Sequence, residues 1–141
     1  MVVSSLTLIF GYLVSALVVD TSSWVTYFAH TAPSVIDEAL AEGRVYLPPI
    51  VAAELLSGKM SARQRAQLES FLLDLPLCTH DLEHWMRVGR LRAHLFLKGI
   101  SVSTPDAHIA QCALDLKAEL LSEDHVFFKI AQKTALRLLL V

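Results

Sequence analysis

Charge is missing from the first 19 residues of this chain, and cysteine, glycine and proline are sparse throughout. Only 2 cysteines, Cys78 and Cys112, occur in 141 residues, too few for a disulfide-stapled secreted scaffold. Neither belongs to a CxxC pair, which argues against a redox or zinc role. Cys112, inside Ile109-Ala110-Gln111-Cys112-Ala113, reads as a buried thiol. With 5 glycines and 5 prolines there is no collagen-like, low-complexity or linker segment, and no internal repeat is visible. A strong excess of one charge is also absent. The formal net charge is -2, so bulk positive charge cannot draw this chain to nucleic acid. Any such binding has to use a local basic patch or metal bridging to phosphate.

The uncharged start raises the question of targeting. No Lys or Arg precedes the apolar run, as a secretory signal would require. If Leu17-Val18-Val19 is the first core strand, about 16 residues remain, short of the ~20 that span a bilayer. Residues 1–16 are therefore expected to be an apolar extension, either a mis-assigned start or a segment that packs on a partner. Membrane insertion is not expected.

What is present in excess is apolar residue, 54% of the chain against the usual value of about 45–50%. A chain of this length buries roughly two thirds of its unfolded surface and can hold a core unaided. The apolar surplus suggests surface covered by a partner. Leu17–Val19 is short, wholly apolar and bounded by polar residues, as a buried parallel strand is. Ser22 or Ser23 can cap a helix to about His30, and a second helix runs from about Ala32 to Glu42, stopping at Gly43. Val45-Tyr46-Leu47 is a second strand. Pro48-Pro49 opens a helix to about Gly58. Ser61 opens another, and a long one covers about Asp81 to Leu97. Ile100-Ser101-Val102 reads as a strand, Thr104 as the cap of a helix through Leu116, and Glu119–Ser122 as a strand. A helix over His125–Lys133 and a strand over Leu136–Leu140 close the chain. This alternation predicts a single α/β domain over residues 17–141, with a mostly parallel sheet of about five short strands flanked by helices.

Four carboxylates stand where a strand or turn hands over to a helix: Asp20, Glu54, Asp106 and Asp124. Functional groups collect at the carboxyl ends of strands in parallel α/β sheets. Taken singly, each acid has an ordinary explanation. Asp106 suits a first helical turn, Asp124 suits a cap, and Glu54 suits a solvated face. Asp20, at the end of an all-apolar strand, is poorly placed unless something binds it. Brought together, the four repel. Two like charges ~4 Å apart cost about 4 kcal/mol at an effective dielectric of 20. A divalent cation with a taste for hard oxygen, Mg²⁺ or Mn²⁺, relieves that.

The segments Val18-Val19-Asp20-Thr21-Ser22-Ser23-Trp24, Ala52-Ala53-Glu54-Leu55-Leu56-Ser57-Gly58, Gly99 to Ala110, and Leu120-Leu121-Ser122-Glu123-Asp124-His125-Val126-Phe127 carry a family resemblance in order and spacing. The chain resembles PIN-domain ribonucleases and, among them, the VapC-type toxins of VapBC toxin–antitoxin pairs. The resemblance implies that Asp20, Glu54, Asp106 and Asp124 hold one or two Mg²⁺ or Mn²⁺ ions, with Ser22 and Ser122 as supporting polar groups. It implies hydrolysis of RNA phosphodiester bonds by metal-activated water, leaving a 5′-phosphate and a 3′-hydroxyl. It also implies a cognate VapB-like antitoxin seated over the early helices, near Trp24, Tyr27, Phe28, Leu55 and Leu56. A homodimer, a cytoplasmic location and an RNA target such as tRNA or rRNA are further implications.

Two features depart from the family pattern. Many relatives carry another acid two residues after the fourth carboxylate, where this chain has Val126, and the residues before Asp20 exceed the usual start. Arg87, Arg90, Arg92 and Lys98 are candidate phosphate contacts, with Lys59, Arg63 and Arg65 a second basic group; a solvated helix face is the plainer reading of both. His108 and His125 sit beside acids, but an activated water needs no histidine base, so both read as structural. The alternatives are a housekeeping PIN nuclease of RNA processing and a PIN-like binding module without catalysis.

Overall fold

A computed structural model of the chain describes residues 15–30, 34–79 and 81–140. The expected extension over residues 1–16 falls almost wholly outside them. The described elements run β1 (Leu17–Val19), α1 (Thr21–Ala29), α2 (Val35–Ala41), β2 (Val45–Tyr46), α3 (Pro49–Leu56), α4 (Ala62–Leu73), α5 (Leu82–Leu97), α6 (Thr104–Leu116), β3 (Glu119–Leu121), α7 (Val126–Lys133) and β4 (Arg137–Leu138). The four strands form one sheet in the order β2-β1-β3-β4, every pair parallel. Leu17 is in register with Val45 on one side and Glu119 on the other.

The sheet is buried because its strands are apolar on both faces. Leu17, Val18 and Val19 are at most 2% exposed, so neither face of β1 meets solvent. Each such side chain contributes about 1.5–3 kcal/mol by leaving water. Helix α6 lies against β1, β3, α3, α5 and α7. Its run from Ala107 to Ala113 is buried at every position, and its residues are small or apolar apart from His108 and Gln111.

Several expectations needed correction. The expected strand at Ile100–Val102 is irregular, and four strands are described rather than five. Its backbone groups pair elsewhere. The Ile100 amide donates to Leu95 O after Gly99 turns the chain with φ +81°, and Arg92 Nε donates to Val102 O. The edge beyond β2 is extended instead by an isolated parallel bridge between Leu47 and Leu77. Two helices begin earlier than expected, α1 by two or three residues and α6 by one. Asp20 itself, rather than Ser22 or Ser23, caps α1, and Ser103 rather than Thr104 caps α6. In both cases the side-chain oxygen accepts from the amide three residues on, the usual way of satisfying an orphan donor. The second helix starts at Val35, where Ser34 and Asp37 form a reciprocal capping box.

Candidate functional site

β1 and β3 are neighbours, so their carboxyl ends bring Asp20 beside Ser122 across 102 residues of sequence. Asp20 is only 4% exposed. Its Oδ1 accepts from the Ser23 amide and the Ser22 hydroxyl, both at 3.0 Å. Its Oδ2 accepts from Ser122 Oγ at 2.5 Å. The same Ser122 oxygen accepts from the Asp124 amide at 2.9 Å, so one hydroxyl ties the turn after β3 to the acid after β1. Asp124 Oδ1 accepts in turn from the Val126 amide at 3.0 Å and thereby starts α7. Asp124 is thus a turn former as well as a site acid.

Glu54 projects from α3 at an exposed position, and its Oε1 accepts from Thr21 Oγ1 at 2.6 Å. Asp106 sits half-buried in the first turn of α6, where its amide donates to Ser103 Oγ at 3.2 Å. Burial pushes the Asp106 carboxyl above the usual range, and the negative charges of Asp124, Glu54 and Asp20 push the same way, against the Ser103 hydrogen bond. Asp106 thus feels the charges of the other three acids. Among the described residues none of them takes part in a salt bridge. A donor set of four carboxylates without a basic partner fits a hard divalent cation.

Sequence reasoning missed Thr21, whose hydroxyl steers Glu54, and Glu123, whose carboxylate accepts from Thr26 Oγ1 at 2.9 and 3.1 Å. Thr21 follows Asp20 directly and opens α1, but its partner is 33 residues away, and local sequence carries no signal for that. Beside the acids a groove of about 870 Å³ runs from Ser23 and Ser122 past Thr26, Tyr27, Val35 and Leu140. Trp24 lies 1% exposed beneath, stacked on Phe28 at 5.6 Å and edge-on to Phe71 at 5.4 Å.

The candidate phosphate contacts divide. Arg87 is committed to a two-pronged pair with Asp115, both contacts at 2.9 Å, and Arg92 to the Val102 carbonyl at 2.8 Å. Arg90 and Lys98 are exposed on α5 and at its end. In the second basic group, Arg65 donates to the carbonyls of Leu56 and Gly58, while Lys59 and Arg63 are exposed. His125 is exposed at the start of α7 with its ring against Phe128, and His108 is fully buried and bonded to His84.

Among the described residues no helix is long and apolar enough to cross a membrane. Curated proteins gave no match to the chain. Solved structures did. DNA-bound VapBC from Salmonella typhimurium is similar at a TM-score of 0.73 and 22% identity, over 89% of this chain and 98% of that one. VapBC2 from Rickettsia felis, bound to a DNA fragment from its promoter, gives 0.71 and 22% over 88% and 97%. VapBC-5 from Mycobacterium tuberculosis, a member of the VapBC family of toxin-antitoxin systems, gives 0.63 and 25% over 91% and 100%. The family model described as PIN domain matches residues 17–133, a span that holds all four carboxylates, and the chain belongs to that family.

Proposed function

We propose that this chain is a metal-dependent endoribonuclease, the VapC-type toxin of a toxin–antitoxin pair. The observation that carries the reading is the gathering of Asp20, Glu54, Asp106 and Asp124 towards one end of the parallel sheet, with Asp106 raised by burial and by the charges of the other three, and, among the described residues, no salt bridge to any of them. These four would hold one or two Mg²⁺ or Mn²⁺ ions. When bound, such an ion makes a water nucleophilic near neutral pH and offsets charge on the departing oxygen of a phosphodiester. The chain's own part is orientation. Ser22, Ser122 and the Ser23 amide fix both oxygens of Asp20, and Thr21 fixes Glu54. Val126 stands where a further acid is common, so the second ion position has fewer carboxylates. Arg90 and Lys98, free of internal bonds among the described residues, are the candidates to meet RNA phosphates. The groove between α1, α2 and the β3 end fits a VapB-like antitoxin segment, in keeping with the VapBC complexes among the similar structures. A cytoplasmic, homodimeric protein is the form we expect.

The test is cleavage of total cellular RNA by the purified full chain with Mg²⁺, Mn²⁺ or EDTA, beside Asp20→Asn and Asp106→Asn. Discrete cuts with 5′-phosphate ends, abolished by EDTA and by either substitution, are expected. Intact RNA under every metal, from folded protein free of antitoxin, would instead leave a non-catalytic binding module.

A further inference from the structure

On the opposite side of α6 from Asp106 lies a second cluster that the carboxylate chemistry does not use. His84, in the first turn of α5, and His108 and Cys112, one turn apart on α6, offer one ligand atom each, all within 4.8 Å of one another. His84, His108 and Cys112 are fully buried, each 0% exposed. His84 Nε2 is 2.7 Å from His108 Nδ1, and Cys112 Sγ lies 3.9 Å from each of those nitrogens and 3.8 Å from His108 Nε2. Cys78 is near enough to raise the Cys112 thiol together with burial.

We propose that His84, His108 and Cys112, with Cys78 beside them, form a second metal site that takes a borderline-soft divalent cation of the zinc class.

Three observations support it. The donors are nitrogen and sulfur, the set that selects zinc over magnesium. The ring of His84 is already oriented as a metal ligand's ring is. Its Nδ1 bonds Asp115 Oδ2 at 2.8 Å, and Asp115 is itself held by Arg87 and by Gln111 Nε2. Trp85 stacks on His108 at 4.3 Å and 6°, fixing that ring as well.

The hydrogen-bond chain runs from Asp115 through both rings and ends on the Cys112 thiol. With His84 Nδ1 donating to Asp115, His84 Nε2 accepts from His108 Nδ1, and the buried His108 Nε2 faces only the Cys112 sulfur at 3.8 Å. Tetrahedral zinc, with bonds of about 2.0–2.1 Å to nitrogen and 2.3 Å to sulfur, wants nitrogens about 3.3 Å apart and sulfur about 3.6 Å from each. Against the 2.7 Å and 3.9 Å seen, the nitrogens would part by about 0.6 Å and the sulfur close in by about 0.3 Å. On binding, the thiol proton leaves to solvent, and the His108 proton moves from Nδ1 to Nε2. Such a site would clamp α5 and the segment at Cys78 to α6. His108 lies two residues from Asp106, about 200° around the helix, so the cation would brace the carboxylate-bearing turn from behind.

The test is titration of the chelator-treated, thiol-reduced full chain with Co²⁺ and then Zn²⁺, followed by absorbance. One Co²⁺ per chain should give a thiolate-to-cobalt charge-transfer band that Zn²⁺ bleaches and Mg²⁺ does not. The band should persist in Asp20→Asn, whose carboxylate site is damaged, and vanish in Cys112→Ser. His108→Gln should weaken Zn²⁺ binding at least tenfold, with folding of both variants checked by circular dichroism. Folded wild-type protein that develops no charge-transfer band at excess Co²⁺ overturns the site whatever the variants do. So does a band that survives in folded Cys112→Ser.

Discussion

Replacing Asp20 by asparagine and by alanine separates two duties of one side chain. Asparagine caps helices as well as aspartate does, so Asp20→Asn should keep α1 and lie within about 1 kcal/mol of the parent in urea unfolding. RNA cleavage should nevertheless be lost, because a carboxylate is gone. Asp20→Ala removes the cap and strands the Ser23 amide and the Ser122 hydroxyl, at a cost of about 1–3 kcal/mol in the same measurement. Tyr27 gives a pH-dependent readout at the wall of the groove. Its hydroxyl donates to Asp37 Oδ1 at 2.6 Å, and that bond, with burial and the carboxylate's charge, pushes the phenol up to about 12. The folded value lies above the unfolded one, so this contribution to stability is complete below pH 10 and is lost as the phenol ionises towards pH 12. The ultraviolet phenolate signal that Tyr27→Phe removes should titrate near pH 12, and Asp37→Asn should return it towards 10.

At the scale of elements, Gly99 decides how α5 hands over to α6. Its φ of +81° excludes most side chains, although a methyl group there would meet nothing within 4 Å. Gly99→Ala should therefore cost about 1 kcal/mol through backbone strain alone, seen as a lower urea midpoint with an unchanged slope. This junction also marks the limit of what local sequence could tell. Apolar runs bounded by polar residues located β1, β2 and β3, because a buried parallel strand needs that pattern. Ile100-Ser101-Val102 has the same look, yet its partners are the end of α5 and Arg92, which only the tertiary arrangement supplies. Asp20, Asp106 and Asp124 were legible because each adjoins a recognisable strand end or helix start, whereas Glu54 lies near the end of α3 and stood out by its apolar neighbours. The cluster around His108 was not. His84 lies 24 residues from His108 and 31 from Asp115, on another helix, and no spacing rule joins them.

For the whole molecule, the acid cluster is a strain that a cation should relieve. A ligand bound only by the folded state adds about 2.7 kcal/mol at one hundred times its dissociation constant. Mg²⁺ should thus raise the melting temperature of the full chain and do so far less for Asp20→Asn, measured by calorimetry in thiol-free buffer. The order of the sheet also has a bearing on how the protein is made. β1 is among the first described elements to leave the ribosome, yet its partner β3 and the acid Asp124 come more than 100 residues later, as the 102-residue reach from Asp20 to Ser122 records. At about 5–20 residues per second, Asp20 waits roughly 5–20 s for that partner to be synthesised. The proposed cutting centre can therefore assemble only after β3 and Asp124 have followed Asp20 out of the ribosome, and shorter nascent chains lack it.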